Sequence, residues 1–340
     1  MPRVSKKDKP AQETVELIEA IKFCSVAQRE IGLPYQTHII MRANTALAFD
    51  GVLTVGTRTG FDISTAPHTL RFLAALQKCR AAYSVTQTES GQLIVKSGAF
   101  RAVVPCLPVD DLATNWPDNA SHAVDGAALK RLFGQLVGVI SEGATTTVAS
   151  SLLLTRNSMV VCDRYLLIEA WHGLELPGEY LLPKVVIQAV AKCPKAIVAL
   201  GFGETSVTFW FDDNSFIKSQ VHSEKYPDFN GLFARADIGV SPVPETLVEA
   251  IKAVAPFSED GAVYFSEKQV ASHLNDVVGA THDCKGLRFE GKPNLAFNIG
   301  RILSALSVAT AWNMHASERG MYFVGDGIRG MLSLWSSDAV

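Results

Sequence analysis

The order of apolar and polar residues divides this chain into alternating helical and extended stretches. From Thr69, TLRFLAALQKC spaces Leu70, Leu73 and Leu76 three apart. That spacing predicts an amphipathic helix with those leucines toward a core and Arg71, Ala75 and Lys78 on the opposite face. Leu93-Ile-Val-Lys-Ser-Gly-Ala-Phe-Arg101 then reads as two short strands around a glycine, and Pro105 and Pro108 punctuate the exit. The pattern returns twice in degraded form. A second copy opens with LPKVVIQAVAKC at Leu182, runs through strands at 196–200, 207–211 and 216–221, and closes at Tyr226-Pro-Asp-Phe229. A third opens with FNIGRILSALSVA at Phe297 and ends in strands near 321–324 and 331–335.

Another amphipathic helix precedes each of these, starting near Val15, Asp125 and Glu245. The first helices therefore recur at roughly 110 to 120 residues, a common length for a single domain. The simplest account is three similar α+β domains, spanning 1–118, 119–240 and 241–340.

Composition narrows the class. With 48% hydrophobic and 19% charged residues, the chain has enough apolar material for three cores of this size without covalent staples. No apolar run approaches the roughly 18 residues of a membrane span, and the charged start MPRVSKKDKP has no apolar segment after it, so no secretory signal is read there. The expectation is a cytoplasmic protein with no membrane association. Cys24, Cys79, Cys106, Cys162, Cys193 and Cys284 are scattered through apolar patterns with no CxxC pair, which reads as buried thiols in a reducing compartment. His282 and Cys284 lie two apart but lack further ligands, so no metal is expected there. Asn119-Ala-Ser121 is a glycosylation-type triplet without other support.

The formal net charge of −3 argues against a nucleic-acid binder, but the distribution argues for one. The second helix of each repeat carries Arg71, Lys78 and Arg80, then Lys184, Lys192 and Lys195, then Arg301, and none contains Asp or Glu. On the middle one, Lys184, Gln188 and Lys192 align against Ile187, Val190 and Cys193. The first helices add Lys22, Lys130, Arg131 and Lys252, here mixed with Glu16, Glu19, Glu245 and Glu249. Cations kept apart from acid attract phosphates without reading sequence. The plainer reading is that lysines solvate the outer faces of amphipathic helices. Recurrence in three repeats favours a functional surface.

Catalytic patterns are missing from the sequence. Gly201-Phe-Gly203-Glu-Thr lacks the third glycine and helix of a dinucleotide loop, and no GxxxxGK[ST] occurs. Asp110-Asp111, Asp212-Asp213 and Asp326 sit at turn-like positions, where Asp is favoured for local hydrogen bonding. Paired carboxylates can hold magnesium in a nuclease, yet nothing in the pattern makes these converge. No enzyme activity, cofactor or metal is expected.

These residues together resemble a known family, the bacterial replicative sliding clamp, which is the β subunit of DNA polymerase III, with its phage-encoded relatives. The run Leu93 to Arg101 followed by Pro105-Cys-Leu-Pro-Val-Asp-Asp111 is similar to the family's "L-T-I-x-S-G-x-x-R … L-P-x-x-D". Gly32-Leu-Pro-Tyr35 resembles its "T-L-P-I-L" segment, and Val160-Val-Cys-Asp-Arg-Tyr-Leu-Leu167 its "A-T-D-G-H-R-L". Leu182-Pro-Lys184, Tyr226-Pro-Asp-Phe229 and Phe297-Asn298 match a helix-opening proline, an "F-P-D-Y" and an "F-N". The resemblance covers nearly the whole chain and is weak between Phe257 and Asn294.

The resemblance implies three clamp domains, each of two helices on antiparallel sheets, forming a crescent that dimerises head to tail into a ring. Twelve helices would line the hole around non-specifically held double-stranded DNA. It implies a processivity factor that tethers a replicative DNA polymerase and is opened by a clamp loader. Residue by residue, it places Arg71, Lys78, Lys184, Lys192 and Arg301 near phosphates, with Lys130 and Arg131 as further contacts. The family's duplex-touching Arg has no direct match, since Glu30 stands about there, and Arg29 substitutes. The subunit contact would join the strands around Leu93, Val95 and Val104 to Phe257. A groove for partner peptides would use Tyr165, Leu167, Pro183, Ile187, Met331 and Leu332. The sequence departs from the pattern at Leu166, where the family has Arg, and at Met331 to Leu334, which replace "M-P-M-R" before Trp335 and a polar tail. Two other readings stay open, a clamp-fold adaptor that binds proteins without encircling DNA and an α+β hydrolase or nuclease.

Overall fold

The structure, a computed structural model, describes residues 12–79, 83–141, 146–234, 239–266, 268–274, 278–287, 295–317 and 319–335. Arg80, the basic start of the chain and the tail after Trp335 lie outside them.

The first helix shows why these segments fold as they do. In α1 (Gln12–Cys24), Leu17, Ile21 and Cys24 are buried at one-turn intervals while Glu16, Glu19 and Lys22 face water. After the short α2 (Pro34–Thr37) comes an antiparallel meander of β1 (Ile40–Arg42), β2 (Thr45–Phe49) and β3 (Leu53–Arg58). A short strand β4 (Ala66–Pro67) leads into α3 (Thr69–Gln77). A second meander follows, β5 (Ser84–Gln87), β6 (Leu93–Ser97) and β7 (Phe100–Val104), then β8 (Cys106–Leu107), which pairs back onto β4.

The same succession occurs again as β9 (His122–Ala123), α4 (Ala127–Leu136), β10 (Ser151–Leu154), β11 (Ser158–Cys162), β12 (Leu166–Trp171), β13 (Tyr180–Pro183), α5 (Lys184–Lys192), β14 (Ile197–Phe202), β15 (Ser206–Phe211) and β16 (Phe216–Gln220). After α6 (Asn230–Phe233) it occurs a third time. This copy comprises β17 (Ser241–Pro242), α7 (Leu247–Val254), β18 (Ala262–Ser266), β19 (Gln269–Ala271), β20 (Thr281–Asp283), β21 (Leu295–Asn298), α8 (Ile299–Leu306), β22 (Ala311–Ser317), β23 (Gly320–Gly325) and β24 (Ile328–Ser333). Three repeats, each with two principal helices and two three-stranded meanders, make an α+β fold.

Two compact units divide the chain. One is formed by the residues up to Ala127 with Ala189–Val221, the other by Ala128–Gln188 with His222 onward. The first unit holds a seven-stranded sheet in the order β1-β2-β3-β16-β15-β14-β9 and the three-stranded sheet β5-β6-β7. The second holds an eight-stranded sheet, β13-β10-β11-β12-β24-β23-β22-β17, and a four-stranded one, β20-β19-β18-β21. The division passes through the second repeat because each of its meanders is hydrogen-bonded to a neighbouring repeat, β16 to β3 and β12 to β24. The two seams share one register. Leu53 faces Ser219 and Leu166 faces Leu332, so both partners advance by the same 113 residues (53 to 166 and 219 to 332).

The turns that enter the seam strands are also alike. Asp50 Oδ1 accepts the N–H groups of Val52 and Leu53, and Asp163 Oδ1 those of Tyr165 and Leu166. The residue after each aspartate has positive φ, 104° at Gly51 and 82° at Arg164. Arg164 therefore holds a conformation that suits glycine, at a cost of order 1–3 kcal/mol.

Helix α3 corrects the sequence reading. Its core face is Thr69, Phe72, Ala75 and Leu76, continued by Cys79 just past its end, while Leu70 and Leu73 are only half-buried. Arg71 and Lys78 remain outward, with Ala74 and Gln77 rather than Ala75 beside them. The large ring of Phe72 sets the phase, and a fully buried side chain of that size contributes about 1.5–3 kcal/mol.

The Gly201-Phe-Gly203 sequence has a structural purpose in the first unit. A Cβ on Gly201 would lie 2.6 Å from the carbonyl oxygens of Asp118 and Asn119, and one on Gly203 2.6 Å from the Asp118 carboxylate. The two glycines let the segment leading to β9 lie against β14. Asp118 then accepts hydrogen bonds from Ser206, Thr208 and Lys218, and its carbonyl accepts one from Trp210 Nε1 at 2.9 Å. Lys218 also donates to the Trp116 carbonyl at 2.8 Å. The Asp118 and Lys218 side chains are 14% and 9% exposed, so this ion pair is a buried clasp.

Candidate nucleic-acid interface and partner groove

Asp125 and Asn298 start two of the helices that carry cations. Asp125 Oδ1 accepts the Ala127 N–H at the start of α4, and Asn298 Oδ1 that of Arg301 in the first turn of α8. Helices α3, α4, α5 and α8 contain no Asp or Glu, whereas α1 and α7 do. The charged side chains on those four helices are therefore all basic.

The structure sorts the eight sequence-derived cations into two sets. In the first unit, Arg29, Arg71, Lys78 and Lys192 are exposed and have no carboxylate partner among the described residues. In the second unit, Arg131 is exposed and bonds to Gln135 one turn on, and Lys130 is half-buried. Lys184 and Arg301 are restrained. Lys184 Nζ donates to the Ile140 carbonyl at 2.6 Å. Arg301 Nε donates to Asp163 Oδ2 at 2.6 Å, and its guanidinium stacks over Tyr165 at 4.2 Å. Arg301 is thus partly neutralised, with a partner 138 residues away that no sequence spacing announces. Lys195 is also committed. It meets Asp213 at 2.7 Å, bonds to Ser215 and lies over Phe23. Burial pushes the Asp213 carboxyl up, but hydrogen bonds from Lys195 and Ser215 outweigh it and hold the group below the usual carboxylate range.

Of the six groove residues, the structure brings two together. Leu167 and Met331 face each other across β12 and β24. They belong to a cluster with Leu153, Val160, Leu181 and Tyr322, covered by Tyr226, Phe229 and Phe233. Leu332 alternates to the other face, where it pairs with Leu166, and Ile187 is fully buried in α5. Pro183 is buried at the end of β13, and Tyr165 sits in the turn under Arg301. None of the three covering aromatics is among the six expected groove residues. Tyr226, Phe229 and Phe233 contact one another edge to face, and Phe233 continues to Tyr322. Their spacing of three and four is the signal that would have found them. Arg329 stacks on Phe233 at 4.0 Å and bonds to the buried Glu169 at 2.7 Å.

Of the expected subunit-contact residues, Leu93, Val95 and Val104 point into the protomer and are 0–1% exposed. Strand alternation makes this unavoidable, since they share one face and Ile94, Lys96, Arg101 and Val103 share the other. What β7 offers outward is its backbone edge and Val103, which is 51% exposed. Phe257 is 56% exposed.

Among the described residues no three His, Cys, Asp or Glu side chains gather as metal ligands would. No described helix is long and apolar enough to cross a membrane.

Similarity to solved structures decides the fold. The DNA polymerase sliding clamp of Bacillus subtilis superposes with a TM-score of 0.81 over 95% of this chain and 98% of its own, at 15% identity. The chain has the sliding-clamp fold. The DNA polymerase III subunit beta of Pseudomonas aeruginosa matches with a TM-score of 0.79 at 13% identity, covering 95% of this chain and 98% of that one. The Helicobacter pylori beta clamp bound to a DNA ligase peptide matches with 0.76 at 15%, covering 94% and 98%. No protein-family model matches the chain, and no curated protein sequence matches it. The clamp fold is therefore legible in three dimensions at an identity where whole-sequence comparison falls silent.

Proposed function

We propose that this chain is a ring-forming, non-enzymatic processivity factor. Two copies of three repeats each, with borders near 118 and 240, close head to tail around double-stranded DNA and hold a replicative polymerase by a short peptide. A clamp loader opens the ring.

The observation that carries this reading is the pattern of sheet edges. At each seam, the last strand of one repeat's first meander pairs with the last strand of the next repeat's second meander, β3 with β16 and β12 with β24. Two strands of these classes are left over, β20 in the third repeat and β7 in the first, and each ends its sheet. Pairing β20 of one copy with β7 of another repeats the seam a third time and leaves no such edge unpaired. Val103 and Phe257 supply exposed apolar surface for that contact. The acid-free helices supply the cations that make DNA binding non-specific, with topology rather than affinity providing persistence.

Partner peptides would bind over the Leu167–Met331 cluster, where Phe229 and Met331 are half-buried. The test is retention on DNA. The protein should have the native mass of a dimer and stay on circular duplex when loaded, and it should be released when that duplex is linearised. A monomer in solution, or retention indifferent to linearisation, would overturn the reading. Charge reversal at Lys192 separates it from an adaptor that binds partners without encircling DNA, because only a clamp should then lose stimulation of its polymerase.

A further inference from the structure

The aromatic cover of the Leu167–Met331 cluster contains a buried hydroxyl that is not bonded. Tyr226 is 9% exposed, and among the described residues its Oη has no hydrogen-bond partner. Burial pushes its ionisation far above the ordinary tyrosine range, and the nearby Cys162 side chain adds to this, so the group remains a neutral O–H donor. A donor kept from water without an acceptor is costly, and nearly all buried polar groups in folded proteins are bonded. The position of the hydroxyl is also this chain's own. In the F-P-D-Y pattern that Tyr226 to Phe229 resembles, the tyrosine stands last, whereas here it stands first.

The cover over this hydroxyl is attached through side chains. Tyr226 meets Phe229 edge to face at 6.2 Å, and Phe229 meets Phe233 at 6.5 Å. The helix that carries Phe233, α6, is a single turn of four residues. Among the described residues, the hydrogen bonds of 228–234 stay inside that segment. Asn230 N–H donates to Asp228 Oδ1, Leu232 N–H to the Phe229 carbonyl and Ala234 N–H to the Asn230 carbonyl. Ring packing holds the turn on the cluster, with the Arg329 guanidinium stacked on Phe233 at 4.0 Å.

A segment held in this way opens more readily than one tied in by backbone hydrogen bonds, and another segment with similar side chains can take its place. A peptide is such a replacement. Its apolar side chains occupy the positions of Phe229 and Phe233, and a backbone carbonyl drawn in with them loses its water. That carbonyl then needs a donor as much as the hydroxyl needs an acceptor.

We propose that the Tyr226 hydroxyl is a specificity-determining donor of the partner groove, bonding a backbone carbonyl of a peptide that displaces the Phe229–Phe233 cover. This role rests on the groove reading above and is independent of ring closure and DNA binding.

The test uses the full-length protein and a phage-displayed library of random-sequence peptides. Captured peptides are synthesised, and their affinities are measured for wild-type, Met331→Gln and Tyr226→Phe. Peptides weakened by Met331→Gln occupy the groove. Tyr226→Phe should weaken those peptides roughly two- to twelvefold, the range of one net hydrogen bond. The same variant should raise the urea midpoint of the free protein, because it deletes an unbonded buried hydroxyl. A merely structural hydroxyl would instead lower that midpoint when removed. Each backbone amide of a groove-bound peptide is then replaced in turn by an ester, whose carbonyl is a weaker acceptor. One replacement should weaken binding to wild-type and leave binding to Tyr226→Phe unchanged.

Unchanged affinity of groove-bound peptides for Tyr226→Phe, a lowered urea midpoint, or no ester-sensitive position would overturn the assignment. If no captured peptide responds to Met331→Gln, the groove reading fails and this role fails with it. A monomer that still binds such peptides through Tyr226 keeps the role and refutes the ring.

Discussion

Replacing Asp118 with alanine tests the buried clasp most directly. The Asp118 carboxylate accepts from Ser206 at 2.9 Å, Thr208 at 2.9 Å and Lys218 at 3.1 Å. Lys218 Nζ keeps its bond to the Trp116 carbonyl but loses its counter-ion in a site where its side chain is 9% exposed. Breaking a buried pair from one side costs about 3–5 kcal/mol, most of it from the stranded charge, whereas an exposed pair is worth about 0–1 kcal/mol. Asp118→Ala should therefore lower stability by about 3–5 kcal/mol. Asp118→Asn, which keeps acceptors for the hydroxyls, should cost less. Urea unfolding followed by tryptophan fluorescence is suitable because Trp210 donates to the Asp118 carbonyl. The cycle with Lys218→Met isolates the pair. If a stranded ammonium causes the loss, the double variant should be more stable than Asp118→Ala alone. A cost under about 1 kcal/mol for Asp118→Ala, or a double variant less stable than the single one, would refute the reasoning.

Arg164→Gly should raise stability by about 1 kcal/mol, read as a higher urea midpoint, because φ of 82° suits glycine and strains arginine. If the proposed ring closes through Phe257, Phe257→Asp puts a charge into its apolar contact, so sedimentation should report monomers, and an unchanged dimer would remove Phe257 from that proposal. His38 is held below the ordinary histidine range by burial and then by His68 and Arg71. Its folded-state pKa is depressed, so its contribution is present above the usual value of 6.5 and is lost as pH falls through that region. His38→Gln should flatten the melting profile on that acid side.

The repeat was legible because every copy retains its helix periods and turn residues. The start near Asp125 became a real cap, and Pro183 and Asn298 stand immediately before α5 and α8. What sequence hid were choices made by distant partners. Leucines at 70 and 73 look like core residues until Phe72 takes that place. Arg301 looks like an open cation until Asp163 folds beneath it. Gly201 and Gly203 resembled a broken nucleotide loop, and only the approach of Asp118 explains them. Leu93, Val95 and Val104 were expected at a subunit contact by their position in a strand. Alternation within that strand turned their side chains inward.

The shared sheets also determine how the chain can be divided. Excising residues 119–240 as a would-be domain strips β16 of β3 and β12 of β24, baring two full backbone edges on one fragment. Such a piece should self-associate during expression. Native-state hydrogen exchange should likewise release the middle repeat in two separate steps, each coupled to a different neighbour.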